Sequence, residues 1–227
     1  MKMINKLTLP IIPEIPGIEP SNTVTILILI TILSIAPAIL LLMTSFTRIV
    51  IVLGFVRTSL ATQQMPPNQV LIGLALFITL FVMAPTIGDI NENALQPLLK
   101  EEIDQTQAFV NASNEMKEFM VPHTRDQDLL LFLEYANIEK PETIYDIPLT
   151  ALIPAFAISE LKTAFEMGFM IFIPFLIIDM VVSSVLMSMG MMMLPPVMIS
   201  LPFKILLFIL VDGWHLVVKS LLLSFNP

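Results

Sequence analysis

The chain alternates long apolar runs with one polar block. From Glu19 to Arg48 no charge interrupts it, and Val24 to Met43 ("VTILILITILSIAPAILLLM") is 20 residues long. As a helix this stretch would cover about 30 Å, the thickness of a bilayer core, and Pro37 inside it predicts a kink. The next apolar run, "IVIVLGFV", lies between Arg48 and Arg57 and is too short to span. It predicts a helical extension or an interfacial piece, ended by Pro66 and Pro67. Val70 to Gly88 is a second spanning candidate, 19 residues without charge and with Pro85 near its end. Gly168 to Met189, kinked at Pro174, is a third. Val197 to Phe225, with Pro202, Lys204 and Asp212 inside, is a fourth.

Residues 89–150 break the pattern, with 13 Asp or Glu against four Lys or Arg. Met116, Phe119 and Met120 recur at helical spacing, as do Leu129, Phe132, Leu133 and Ala136. Thr124 and Gln127 have the spacing of a capping box. The organisation predicted is a tail over 1–23, a first apolar hairpin region over 24–88, an acidic helical insert over 89–150 and a second apolar hairpin over 151–227. The fold class is an all-α membrane protein with about four proline-kinked apolar segments. A block of some 60 residues is marginal as an independent fold, so contacts with partners help to hold the insert. The tail holds Lys2 and Lys6, but prolines and glutamates break up any signal-peptide core. A signal anchor in the following apolar run is the other reading. Arg48 and Arg57 place their loop in the cytoplasm by the positive-inside rule, and the acidic insert outside.

Charge sharpens the class. Only 13% of residues are charged, about half the soluble average, and mean hydropathy is +0.87. The absence of cysteine excludes disulfides and thiolate metal sites. His123 and His215 are far apart, so no metal is expected. No nucleophile elbow or phosphate-binding glycine loop occurs, so neither an enzyme nor a cofactor is predicted. A net charge of −8 argues against nucleic acid.

Ionisable groups at membrane depth are costly and face protein or water. Glu160, Asp179, Lys204 and Asp212 fall in or beside apolar runs. Three readings fit them: pairing inside a bundle, a proton relay through Asp179 and Asp212, and snorkelling at helix ends. Pro37, Pro85, Pro154, Pro174, Pro195, Pro196 and Pro202 interrupt the apolar segments. Such bends are tolerated where protein or an aqueous cavity satisfies the freed carbonyls. They point to burial in an assembly or to a pore lining.

"MSMGMMMLPP" is the oddest stretch. Five of the seven residues from Met187 to Met193 are methionine, and Gly190, Pro195 and Pro196 mark a loop. Methionine fills irregular gaps by changing rotamer. A ring of such loops would form an apolar, deformable plug that gates by excluding water. A greasy loop dipping into lipid is the alternative.

"SFTRIVIVLGFVRTSLATQQMPPNQVLIGLALFITLFVMAPT", "IPAFAISELKTAFEMGFMIFIPFLIIDMVV" and "SMGMMMLPPVMISLPFKILLFILVDGW" closely resemble the FliP family of flagellar protein-export components. The likeness runs from Val24 to Phe225. In the insert it rests on "KEFM", "HTR" and "DLLLF". Many members carry a cleavable signal sequence, and this tail departs from that pattern. The resemblance implies a pore-forming core subunit of the flagellar type III export gate, in the basal body of the cell membrane. It implies a homo-oligomer, a pentamer, assembled with FliQ and FliR, with FlhA and FlhB nearby and unfolded flagellar subunits passing through. It also implies kinked hairpins raised largely out of the bilayer. By motif it makes Met191, Met192 and Met193 a pore gasket. It pairs Glu160 with Lys204 and gives Phe119 and Phe132 to subunit association. The isolation of Glu160 and Lys204 supports their pairing, since Lys162 and Glu166 can pair on one helix turn.

Other functions remain open on sequence. These are the equivalent role in a virulence secretion system, a proton-coupled transporter of small solutes using Asp179 and Asp212, and a scaffold without a pore.

Overall fold

The computed structural model describes residues 22–62, 65–139, 141–191 and 193–225, with side chains of 22–29, 32 and 33 undescribed. The tail expected over 1–23 lies almost wholly outside the described residues, and Met192 also lies outside them. Among the described residues every regular element is helical. The order is α1 (Asn22–Met43), α2 (Phe46–Ser59), α3 (Asn68–Val82), α4 (Ala84–Ile90), a π-helical turn (Asn91–Leu95), α5 (Gln96–Leu99), α6 (Gln105–Met120), α7 (Asp126–Tyr135), α8 (Leu149–Ser188), α9 (Pro196–Leu210) and α10 (Gly213–Leu223).

Among the described residues, only α8 is by itself long and apolar enough to cross a membrane. Three bent pairs match that length and composition when each is taken as one span. They are Ser34–Met43 with Phe46–Ser59, at 72°, Asn68–Val82 with Ala84–Leu99, at 54°, and Pro196–Leu210 with Gly213–Leu223, at 62°. The bends do not all fall where the prolines predict. Pro37, Pro174 and Pro202 sit inside continuous helices. The first bend comes at Thr44–Ser45, where the Thr44 and Thr47 hydroxyls donate to the Leu40 and Leu41 carbonyls left free at the end of α1. The second falls at Met83, and Pro85 opens the next helix, where its missing N–H costs nothing. Helical structure also runs across the expected boundary at 88/89, as far as Leu99. α8 starts at Leu149, well before the predicted Gly168, and has 40 residues.

α2 is the helical extension of the first apolar segment rather than an interfacial piece, and it lies at the centre of the molecule. Ile49, Val52, Leu53 and Val56, at the spacing of one helix face, are fully buried. That face lies along α8. Arg48 meets Glu160, and seven residues on, the Phe55 ring stacks edge-on against Phe165, with centroids 5.5 Å apart. The near-constant sequence offset makes the two helices parallel. Gly168 lets Phe55 lie on the α8 backbone, because a Cβ there would come 2.4 Å from the ring.

The Arg48 guanidinium is 3% exposed and Glu160 is 0% exposed. The Nε donates to Glu160 Oε2 at 2.8 Å and Nη2 donates to Oε1, a fork that matches the carboxylate plane. Nη1 donates to the Ser224 carbonyl at 2.9 Å and to its hydroxyl oxygen at 3.0 Å. The guanidinium also lies 3.9 Å from the centre of the Phe225 ring. Phe225 packs on His123 and Phe119, and Phe119 packs on Phe156. One buried charge pair thus ties together α2, α8, the chain after α10 and the insert.

The insert docks through a second polar contact one residue away. Ser159 Oγ donates to Asp128 Oδ2 at 2.6 Å and accepts the Arg125 backbone N–H at 3.0 Å. The expected Thr124–Gln127 capping box is absent, because Arg125 occupies the N-cap and the Thr124 hydroxyl donates back to the Met120 carbonyl. The start of α7 is satisfied instead from α8. Below it, Met120, Ile147, Leu152 and Phe156 form a small separate core, with Phe119 packed against both cores.

Three outcomes follow. Gly168→Ala should lower stability by about 1–3 kcal/mol through overpacking against Phe55, whereas Gly73→Ala, which meets open space, should be neutral or stabilising. Thermal unfolding in detergent distinguishes the two. Arg48→Ala should cost about 3–5 kcal/mol, because it leaves the Glu160 carboxylate buried and unpaired. Arg48→Lys should recover only part, as it has no planar fork. The same unfolding assay reads both. Finally, burial and then the Arg48 charge hold the His123 pKa at about 4, below the usual 6.5. A folded-state pKa depressed in this way leaves its contribution intact above pH 6.5 and erodes it as pH falls from 6.5 through about 4. His123→Gln should therefore flatten the loss of stability over that window, and a slope equal to the parent's would show that His123 does not contribute.

Candidate functional site

The second apolar hairpin, α8–α9, holds most of the residues expected to act. Its arms are antiparallel. Phe175 on α8 faces Phe208 on α9, with ring centroids 6.3 Å apart, and Phe208 meets Trp214 at 5.4 Å. Closer to the tip, Lys204 Nζ donates to Asp179 Oδ2 at 2.6 Å, and Ser200 Oγ donates to Asp179 Oδ1 at 2.6 Å. Lys204 also donates to the Ser59 carbonyl at 3.2 Å, at the C-terminal end of α2. The ammonium is thereby neutralised by a carboxylate and set against the negative end of a helix dipole.

The expected pairing of Glu160 with Lys204 is not made within the chain. Glu160 is satisfied by Arg48, and Lys204 by Asp179. The two acids lie 19 residues apart on one helix, about 28 Å along its axis, so a single lysine cannot serve both. Arg48 takes Glu160 because parallel packing of α2 on α8 brings it there, and its fork matches the carboxylate. Lys162 and Glu166 do pair locally, at 3.4 Å, on an exposed turn.

Asp179 and Asp212 have different settings. Asp179 is committed to Lys204 and Ser200. Asp212 is exposed and stands at the bend between α9 and α10, in the left-handed backbone region with φ of +50°. Beside it, Gly213 lacks the Cβ that would come 2.2 Å from the Phe208 ring. The pair Asp212–Gly213 makes a corner, and the two aspartates are not joined by any hydrogen bond.

The methionine stretch forms the loop expected between two helices. α8 stops at Ser188 and Gly190 takes φ of +72°. Gly190 N–H donates to the Met187 carbonyl and Met191 N–H to the Leu186 carbonyl, both at 3.0 Å. This is a Schellman closure, which glycine accepts without strain. Pro195 and Pro196 then open α9. Met187, Met189 and Met191 are exposed, and Met193 is 98% exposed. The visible thioethers of the loop thus point away from the rest of the chain.

Phe119 is half-buried at the junction of the two cores. Phe132 is half-exposed on α7, next to the exposed Leu131. Sequence reasoning missed Arg48, Ser59, Ser200 and the Ser224–Phe225 end. Only Arg48 carried a usable signal. It is as isolated in apolar sequence as Lys204, although the positive-inside rule uses it for topology alone.

A model of the FliP family matches residues 29–221. The chain is 71% identical over 205 residues to the flagellar biosynthetic protein FliP of Bacillus subtilis, covering 90% of this chain and 93% of the relative. It is 52% identical over 207 residues to the protein of that name from Aquifex aeolicus, covering 90% and 87%. Against the one from Borreliella burgdorferi it is 44% identical over 230 residues, covering 99% and 91%. On a family match over most of its length and relatives this similar over nearly their whole chains, the protein belongs to the FliP family.

Proposed function

We propose that this chain is the pore-forming core subunit of the flagellar type III protein-export gate, acting in the cell membrane at the flagellar basal body. The observation that carries the reading is the methionine loop. A hairpin tied to α2 by buried polar contacts presents flexible apolar side chains that no other described residue covers. Repeated around an axis, such loops form a yielding, water-excluding seal through which an unfolded subunit can pass.

The outer faces of the helices favour an assembly. Phe77 and Phe81 on α3, Phe169 and Met170 on α8 and Leu206, Ile209 and Leu210 on α9 are all exposed. So much apolar surface needs covering by copies of the chain, by the sister subunits FliQ and FliR, or by lipid. FlhA and FlhB would lie nearby, and the acidic insert would lie outside the cytoplasm. Phe132 would take part in contacts between copies. Phe119 would act there indirectly, by fixing the insert on α8. The curated relatives named above carry a flagellar name, which favours flagellar export over a virulence system. Asp179 is occupied by Lys204, and Asp212 forms a corner, so a proton relay through them has little support.

Replacing Met191, Met192 and Met193 together by Ala should leave the complex assembled but permeable to small ions. Potassium efflux from vesicles holding the assembled complex measures this. Vesicles that stay tight would turn the reading toward a scaffold without a pore.

A further inference from the structure

The contacts along the hairpin are unevenly distributed, and this has a mechanical meaning. Toward its base, α8–α9 is held by Phe175 against Phe208 and by α2 alongside. Then comes the polar cluster of Asp179, Ser200 and Lys204, with the Ser59 carbonyl behind it. Beyond that cluster little joins the arms. Met180, Val181, Val185 and Val197 are all exposed, and Leu186 is the single buried apolar side chain of α8 between Asp179 and the loop.

From this we infer that Asp179, Ser200 and Lys204 act as a clasp that positions the methionine loop, and that the outer turns of the hairpin bend about it. The proposal rests on the gate reading above. The clasp sits about 6–15 Å from the loop, counting helical rise from Ser200 and from Asp179. Its strength comes from burial. Ser200 and Lys204 are almost wholly enclosed, so the ammonium cannot exchange its carboxylate for water at small cost. Its adjustability comes from Asp179, whose side chain is 24% exposed. That carboxylate holds both partners while keeping one side open. Because Lys204 also grips the end of α2, the clasp fixes the hairpin to the central helix as well as one arm to the other. In this proposal Asp179 and Ser200 are positioning residues that act through the loop.

The test uses the absence of cysteine from the chain. Asp179→Cys with Ser200→Cys replaces the clasp by a bond that can be closed by oxidation and opened by reductant. The assembled complex is reconstituted in vesicles, and potassium efflux is followed for this variant, for Asp179→Asn and for the triple methionine-to-alanine variant. Loss of a positioning contact should raise efflux about tenfold, the factor by which about 1.4 kcal/mol shifts an equilibrium between closed and open loops. The expected result is leak from Asp179→Asn and from the reduced double variant, and a seal in the same double variant once oxidised. A role in folding or assembly alone would lower the yield of complex without making efflux depend on the redox state. If the methionine variant leaks while Asp179→Asn and the reduced pair stay tight, the clasp is wrong and the gate reading survives. If the methionine variant is also tight, the gate reading fails and takes the clasp with it. Should the two cysteines fail to oxidise, Asp179→Asn decides alone: a tight complex of that variant overturns the clasp.

Discussion

The pair of Arg48 and Glu160 is the constraint on which the architecture turns. Neither group is tolerable alone in a dry interior, where an unpaired charge costs several kcal/mol. Together they fix the depth and rotation of α2 against α8, because a guanidinium fork meets a carboxylate in only a few orientations. Once that register is set, the buried stripe of α2 faces α8, Phe55 reaches Gly168, and the end of α2 arrives at Lys204. α2 is thus held by a charged group at each end, Glu160 at the first turn and Lys204 at the last. The remaining fork nitrogen takes the Ser224 carbonyl, which draws the end of the chain and the aromatic cluster around Phe225 to the same point.

The proposed gate depends on how that buried centre passes its order outward. The central helix is buried, the hairpin arms are half-covered, and the loop is bare. Burial falls steadily along that path, as the proposed seal, deformable on a stable base, requires. The prolines fit the same scheme. Those inside α1, α8 and α9 leave the helices continuous, so they soften long rods locally without cutting them. The sharp corners are made elsewhere, at Thr44–Ser45, at Met83 and at Asp212–Gly213.

The sequence made some of this legible, for clear physical reasons. Apolar period and length predicted all-helical apolar segments, and Gly190 with Pro195–Pro196 marked the methionine loop. The insert helices around Met120 and Leu133 followed from their spacing. What sequence could not supply was partner choice among buried charges. Isolation of Glu160 and of Lys204 showed that each needs a partner, but not which one, since the answer depends on how α2 packs. The same ambiguity hid Arg48, because a lone arginine between apolar residues reads equally as a flank of a span. The missing capping box at Thr124 is similar: α8 supplies Ser159 from 34 residues away in sequence, and no local pattern records that.

The parallel packing of α2 and α8 carries a consequence for how the protein is made. Arg48 and Glu160 are 112 residues apart, and Ser224 is farther still. While the ribosome works through α3 and the acidic block, Arg48 sits in an apolar segment with its native partner Glu160 not yet synthesised. The contact that anchors the finished molecule is therefore among the last available to the nascent chain. Until α8 emerges, the first hairpin must be sheltered by lipid, by an insertion factor, or by loose pairing that is later exchanged.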